Sequence, residues 1–95
     1  MYVRMIIGEA IGDDQLRQFC ATYKEDIEPE IMKEAGIATT GLLTEEGGMM
    51  ALVLTMWASR EHCLKYHSSR AYRQFVAKTQ HLLVGDFVVK IFRME

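Results

Sequence analysis

Residues 49–57 restrict the fold more than any other part of this sequence, because they are apolar on both sides of a predicted strand. Side chains alternate between the two faces of a strand. One face of this strand would carry Met50, Leu52, Leu54 and Met56, and the other Met49, Ala51, Val53, Thr55 and Trp57. A strand of this kind belongs in a sheet that is covered on both faces. The fold must therefore bury both.

Three other segments predict strands, and two predict helices. Residues 2–10, 37–43 and 87–94 are rich in β-branched and apolar residues, which favours strands. The last segment again has two apolar faces, with Phe87, Val89 and Ile91 on one and Val88 and Phe92 on the other. The short, glycine-containing connection at residues 44–48 predicts an antiparallel hairpin between the second and third strands.

The first predicted helix starts at Asp13 and Asp14 and carries apolar residues at helical spacing as far as Ile27. Pro29 predicts a kink or break near residues 26–28, followed by a short helical turn over residues 30–35 that ends at Gly36. The second predicted helix is long and continuous, from an N-cap at Ser59 to a stop at residues 85–86. Its apolar positions include Leu64, Ala71, Phe75 and Leu82.

The element order βαββαβ predicts one α+β domain over residues 1–95, with a four-stranded antiparallel sheet of the ferredoxin-like kind. Two helices cover only one face of such a sheet. A second copy of the chain would cover the other face, since an exposed apolar sheet face exceeds what soluble monomers usually show. The alternative is a monomer whose sheet is half exposed to water.

Composition narrows the function classes. The formal net charge is -2 and no run of Lys and Arg occurs, which argues against a nucleic-acid partner. No apolar stretch is long enough to cross a membrane, and the N-terminal residues lack a cleavage site, so we expect a soluble cytoplasmic protein. Cys20 and Cys63 lack the spacing of a disulfide framework or metal site and are predicted to be free and buried.

Residues 56–72 resemble the antibiotic biosynthesis monooxygenase-like group of the dimeric α+β barrel superfamily. Members of that group carry a Trp at the end of the third strand, a Ser or Asp that opens the next helix, and then a His followed by a Ser and an aromatic residue. The matching positions here are Trp57, Ser59, His67, Ser69 and Tyr72. Residues 26–36 are similar to the proline-containing end of the first helix in that group, and the resemblance extends over essentially the whole chain.

The resemblance implies a dimeric α+β barrel and, as activity, oxidation of a phenol or quinol without a bound cofactor. It does not extend to the haem-degrading members, which use an Asn, a Trp and a His. The chain contains no Asn, and Met5 or Ile6, Tyr66 and Val76 stand near those places. In the phenol-oxidising members an Asn accompanies the strand Trp, and Val53 stands at that position here.

Trp57 and His67 are the candidate catalytic residues. The indole N–H of Trp57 is suited to bond a substrate oxygen, and His67 is predicted to face the sheet from the second helix as a general base. Each has an alternative reading as a residue of the core. His62 is predicted to be a solvated residue of the first helical turn, and a metal site formed by His62, Cys63 and His67 has no fourth ligand to support it.

The predicted pocket lies between sheet and helices near Trp57 and His67. Its candidate substrate-binding residues are Tyr23, Val53, Thr55, Tyr66 and Tyr72. The predicted function is a cofactor-independent monooxygenase that acts on a small aromatic or quinol-like substrate. The alternative is a non-catalytic dimeric barrel that holds a small apolar ligand or serves in a stress response.

Overall fold

The computed structural model describes residues 1–95 and has a four-stranded sheet with helices packed on one side. The strands are β1 (Tyr2–Glu9), β2 (Ile37–Thr44), β3 (Met50–Trp57) and β4 (Val88–Arg93). They lie in the order β2-β3-β1-β4, and every neighbouring pair is antiparallel. The helices are α1 (Asp13–Thr22), α2 (Glu28–Ile31), α3 (Arg60–His67) and α4 (Arg70–Thr79). The α+β, ferredoxin-like fold is confirmed.

The predicted alternation of β3 is also confirmed. Ala51, Val53, Thr55 and Trp57 are buried, and they face the helices. The opposite face, which we call the open face, is only partly covered, and its edges are exposed: Leu43 by 54%, Val88 by 52% and Phe92 by 49%. Leu52, Leu54 and Met56 lie in its middle and are half-buried.

The first helical segment stays helical through residues 26–28, where a kink or break was predicted. Its irregularity is a π-helical turn over Tyr23–Ile27, which leads directly into α2. Pro29 lies in the first turn of α2, where the missing backbone N–H has no helical partner to lose. The wider turn allows both Tyr23 and Ile27 to point into the core, where each is almost fully buried.

The second predicted helix is divided in two, and the prediction of one continuous helix was wrong. Ser68 leaves helical geometry, and Ser69 becomes the N-cap of α4 by accepting a hydrogen bond from the Tyr72 backbone N–H at 3.1 Å. The Ser69 hydroxyl also donates to the Tyr66 carbonyl at 2.6 Å, which satisfies the end of α3. His67 is consequently the last residue of α3; it is exposed, with Nδ1 2.7 Å from Arg4 of β1.

Two other side chains depart from their predicted environments. His62 is half-buried instead of solvated: its Nδ1 lies 2.7 Å from the Ser59 hydroxyl, and its ring packs on Gly36. Gly36 has φ 81°, and a Cβ there would lie 2.3 Å from Cγ of His62, so only glycine fits. Leu64, predicted on the apolar side of the helix, is 40% exposed because α3 turns that position outward.

The remaining observations concern cysteines and membranes. Cys63 is buried and Cys20 half-buried, and both are free thiols. No helix has the length and apolar character needed to cross a membrane.

Candidate functional site

Trp57 ends β3 at the edge of the helix layer and is fully buried. Its indole Nε1–H donates to the hydroxyl oxygen of Thr55 at 2.8 Å, and that hydroxyl donates to the backbone carbonyl of Arg4 at 3.3 Å. The N–H that was predicted to bond a substrate oxygen therefore has a partner inside the protein. Thr55, predicted to contact substrate, acts here as the acceptor that orients the indole.

Three aromatic residues of α3 and α4 continue from Trp57 toward the surface. The Tyr66 ring lies 5.1 Å from Trp57, and the Tyr72 ring lies 5.5 Å from Tyr66, measured between ring centroids. His67 stacks on Tyr72 at 5.2 Å. Trp57 and His67 are therefore connected through the two tyrosines. The division between α3 and α4 produces this arrangement, since it lets Tyr66 and Tyr72 approach from different helices.

Arg4, on β1, occupies the centre of this group and was not predicted to be functional. Its side chain is fully buried, with the guanidinium carbon 5.1 Å from the Tyr66 ring and 4.3 Å from the Tyr72 ring. Both rings attract the cation through their π faces. We call Arg4, Trp57, Tyr66, His67 and Tyr72 the arginine–aromatic cluster.

A hydrogen bond of 2.7 Å joins Arg4 Nη2 to Nδ1 of His67. A guanidinium only donates, so Nδ1 must be the accepting, unprotonated nitrogen. The neutral ring then carries its proton on Nε2. In this state the lone pair that a general base needs is already engaged by Arg4.

Several polar atoms of the cluster have no partner. Nε and Nη1 of Arg4 are buried without a hydrogen bond, and so is the hydroxyl of Tyr66. Arg4 takes part in none of the salt bridges of the chain. Burial raises the pKa of Tyr66 strongly, although the neighbouring Arg4 cation acts in the opposite direction. Burial likewise raises the pKa of the Cys63 thiol, again against the effect of Arg4.

Two of the predicted substrate-binding residues lie outside the cluster. Val53 is fully buried on β3 and pairs with Ile6 of β1. Tyr23 is buried in the π-helical turn, and its hydroxyl is 3.0 Å from that of Thr40 on β2. Burial is the main cause that raises the pKa of Tyr23. The structure thus gathers Thr55, Trp57, Tyr66, His67 and Tyr72 around Arg4, with Val53 and Tyr23 in the surrounding core.

The side chain of Arg4 occupies the space between Trp57 and His67 where a pocket was predicted. The pocket therefore stays a prediction. Three surface cavities lie elsewhere. One of about 520 Å³ is lined by mostly charged residues of α2 and α4, one of about 570 Å³ lies beside Cys20 and Lys24, and one of about 220 Å³ lies on the open face beside Leu43 and Leu52. No group of three His, Cys, Asp or Glu side chains is placed to hold a metal ion.

No protein-family model matches the sequence, and no curated protein does. Solved structures do match. A monooxygenase of Streptomyces coelicolor in complex with nanaomycin D superposes with a TM-score of 0.85 at 10% identity, over 99% of this chain and 87% of that one. The chain has the fold of a monooxygenase of this kind.

Two further structures share this fold. SnoaB, a cofactor-independent oxygenase of Streptomyces nogalater, gives a TM-score of 0.81 at 10% identity, over 98% of this chain and 91% of that one. A protein described as an antibiotic biosynthesis monooxygenase gives 0.77 at 12% identity, over 98% of each chain. At such low identities the likeness shows the fold, and the function has to be argued from the residues.

Arg4 is the residue that sequence reasoning missed. One signal was available: a single cation stands in a largely apolar predicted strand, on the same side as Ile6 and Gly8, whereas Glu9 falls on the other side. Because charged side chains are rarely buried without a partner, a cation on the inward face of a strand indicates a functional position.

Proposed function

We propose that the protein is a cofactor-independent monooxygenase that oxidises a small aromatic or quinol-like substrate at the arginine–aromatic cluster. The observation that carries this proposal is the buried guanidinium of Arg4, which has free N–H groups and lies beside a surface histidine and two tyrosine rings. The shared fold supports it, since the superposed structures include a cofactor-independent oxygenase.

Such a reaction needs no bound redox group, because the substrate itself supplies the electrons. Removal of a phenolic proton makes the ring electron-rich at carbon. That carbon donates electrons to O₂ and forms a C–O bond, and the resulting hydroperoxide loses water to leave a carbonyl. One oxygen atom enters the substrate, the other leaves as water, and the phenol is oxidised to a quinone. The protein has to bind the substrate, take up the proton and stabilise the oxyanion.

The cluster provides a group for each of these tasks. The half-buried Tyr72 offers a ring face for stacking on an aromatic substrate, and the buried Trp57 supports it through Tyr66. Arg4 stabilises the oxyanion with its unused N–H groups. When Arg4 turns to the substrate oxygen, Nδ1 of His67 is released and becomes available as the base. We propose that Val53 and Tyr23 shape the inner wall of the same site from the core.

The proposed protein is a homodimer in which a second copy of the chain covers the open face. This face is apolar from β2 to β4, and large side chains at its edges, among them Leu43 and Phe92, are about half exposed. Pairing through the sheets would remove this surface from water, which favours association by roughly 25 cal/mol per Å² of apolar area. The helices, and with them the arginine–aromatic cluster, would remain on the outside of the dimer. We place this homodimer in the cytoplasm, where its free thiols stay reduced.

Oxygen uptake with a panel of hydroquinones tests the reaction. We expect wild-type protein to consume O₂ and to form the hydroxyquinone, which carries one new oxygen atom, with release of one water and without added metal or flavin. His67→Ala should lower kcat by about 10²–10⁴-fold, as expected for loss of a general base, and should give a folded protein with a lower melting temperature, because it also removes the only hydrogen bond of the buried Arg4 guanidinium. His81→Ala is the matched control, since His81 is also exposed and lies far along the chain in the turn after α4. Unchanged turnover in a folded His67→Ala protein would refute the role of His67.

One observation favours the second candidate, a non-catalytic module that holds a small ligand. In this structure the Trp57 N–H is bonded to Thr55 and His67 Nδ1 to Arg4, so neither is free to act on a ligand. If this arrangement persists on binding, a quinol would quench the fluorescence of Trp57, the only tryptophan, without consuming oxygen. Measuring quenching and oxygen uptake on the same samples separates the two functions.

A further inference from the structure

Arg4 is a cation held in the core with no anion beside it. Its side chain is fully buried, and the only hydrogen bond of the guanidinium goes to the neutral His67. Burial of an ion without a counter-charge costs several kcal/mol, and buried charges in proteins are normally paired or bound to a ligand. Two tyrosine ring faces offset part of this cost, but they leave the N–H groups at the edge of the guanidinium unused.

The positions of the unused groups indicate the shape of the missing partner. The ring centroids of Tyr66 and Tyr72 are 5.5 Å apart and lie 5.1 Å and 4.3 Å from the central carbon of the guanidinium, so both rings are on one side of Arg4 and leave its N–H edges to a ligand. Nε and Nη1 are both without a partner, and each forms a carboxylate-binding edge with Nη2, which is set free when a ligand displaces His67. Arginine binds planar carboxylates through pairs of N–H groups, whereas a phenolate offers a single oxygen and most phenols are neutral at pH 7.

The helix layer is open beside Arg4. Its cross-strand neighbour on β4 is Ile91, and directly opposed residues of antiparallel strands point to the same face of the sheet. Ile91 is nevertheless 42% exposed, so no helix covers this end of β4. His67, which is bonded to the guanidinium, is exposed as well. A ligand that displaces His67 would reach Arg4 from this side of the sheet.

We propose that the arginine–aromatic cluster binds an aromatic carboxylate, with the carboxylate on Arg4 and the ring against Tyr72 and Ile91. For the reaction this inference rests on the proposed function, whose substrate it narrows to a hydroxylated aromatic acid. For binding it stands by itself, because a module without catalytic activity would hold the same anion.

Calorimetric titration of three probes of similar shape provides the test: 2-naphthoate, its neutral amide 2-naphthamide, and 2-naphthol. We expect wild-type protein to bind 2-naphthoate about 10- to 100-fold more tightly than 2-naphthamide, the range expected for hydrogen bonds to a charged group. Arg4→Met should remove this preference. Equal affinities for naphthoate and naphthamide, tightest binding of 2-naphthol, or no binding of naphthoate at millimolar concentration would each overturn the proposal.

A second pair of variants keeps the test decisive if Arg4→Met fails to fold. Ile91→Glu places a tethered carboxylate opposite Arg4, and Ile91→Gln is the matched neutral control. The glutamate should pair with Arg4, raise the melting temperature above that of the glutamine variant and abolish naphthoate binding, while Ile91→Gln, which loses only the apolar contact to the ring, should bind naphthoate more weakly than wild-type protein but keep the preference over naphthamide. If Ile91→Glu binds naphthoate as well as Ile91→Gln does, Arg4 is not the anchor.

The outcomes also separate this inference from the proposed function. Charge-selective naphthoate binding with no oxygen uptake on 1,4-dihydroxy-2-naphthoate would refute the monooxygenase and leave the carboxylate site standing. Oxygen uptake on neutral hydroquinones that is equal in wild-type and Ile91→Glu protein would retain the monooxygenase and refute the site. Oxygen uptake that prefers the carboxylated hydroquinone and is lost in Ile91→Glu supports both.

Discussion

Removal of a single atom, the hydroxyl oxygen of Tyr66, tests whether the cluster contains a polar group without a hydrogen-bond partner. It is buried without a hydrogen bond, whereas the equally buried Tyr23 has its hydroxyl 3.0 Å from that of Thr40. Replacing each tyrosine by phenylalanine removes the same atom from both places. An unsatisfied buried polar group costs about 1–3 kcal/mol, while a formed hydrogen bond contributes about 0.5–1.5 kcal/mol net.

The two substitutions should therefore change stability in opposite directions. We expect Tyr66→Phe to raise the free energy of unfolding by about 1 kcal/mol, since it removes an unpaired hydroxyl and keeps the ring face over which Arg4 lies. Tyr23→Phe should lower it by about 1 kcal/mol, since it leaves the Thr40 hydroxyl without its partner. The expected gap between the variants is about 2 kcal/mol.

Urea unfolding at one fixed protein concentration measures this gap, because the stability of a dimer depends on concentration. The slope with urea should be the same in wild-type protein and both variants, so that the midpoints report stability alone. A Tyr66→Phe variant that loses as much stability as Tyr23→Phe would refute the reasoning. It would mean that the Tyr66 hydroxyl has a partner in solution and that the cluster is satisfied without a ligand.

Two further predictions concern the open face and alkaline pH. Leu54→Asp puts a charge in the middle of the open face and should convert the dimer expected in sedimentation experiments into monomer or unfolded chain. Ala58→Asp, at an exposed loop position, should leave that dimer intact. Wild-type protein that sediments as a monomer at high concentration would contradict the pairing. Burial raises the pKa of Tyr66 in the folded protein above its value in the unfolded chain. The stability that comes from keeping this tyrosine neutral in the folded state is therefore fully present below about pH 10 and is lost as the pH rises further. The melting temperature should accordingly fall above about pH 10, and less steeply in Tyr66→Phe; equal slopes would contradict the assignment.

Periodicity in the sequence was sufficient to predict the sheet. The two apolar faces of β3 predict a sheet that is covered on both faces. In the structure, Val53 and Trp57 point toward the helices, and Leu52 and Leu54 lie on the open face. The break between α3 and α4 was not predicted, because it contains neither glycine nor proline. It depends on the Ser69 hydroxyl, which bonds to two backbone groups at once. Hydroxyl residues in a helical pattern indicate either a solvent-facing position or a cap, and only packing decides between them.

The sequence supplied candidate residues for the site, and the site itself stays a prediction. Trp57, His67 and Tyr72 were proposed from a family resemblance and Tyr66 as a tyrosine that could line a pocket, and the four lie together around one side chain. Their roles were not predictable, since a role depends on which polar atoms remain free after folding. The indole N–H of Trp57 is used by Thr55, a residue two positions away on the same face of β3, and this local bond has no signature in the sequence.

The polar atoms that lack a partner also determine which hydrogen bonds of the cluster change when a ligand binds. The Trp57 N–H and the His67 Nδ1 are both bonded inside the protein, while Arg4, the Tyr66 hydroxyl and the Nε2–H of His67 keep donors for an incoming anion. An anion that draws Arg4 away from His67 releases the Nδ1 lone pair in the same step. Binding of the acid group and activation of the base are thereby coupled, whereas a neutral phenol has only its single oxygen with which to draw Arg4 away. On this reasoning, a carboxylated phenol should be oxidised faster than a neutral one.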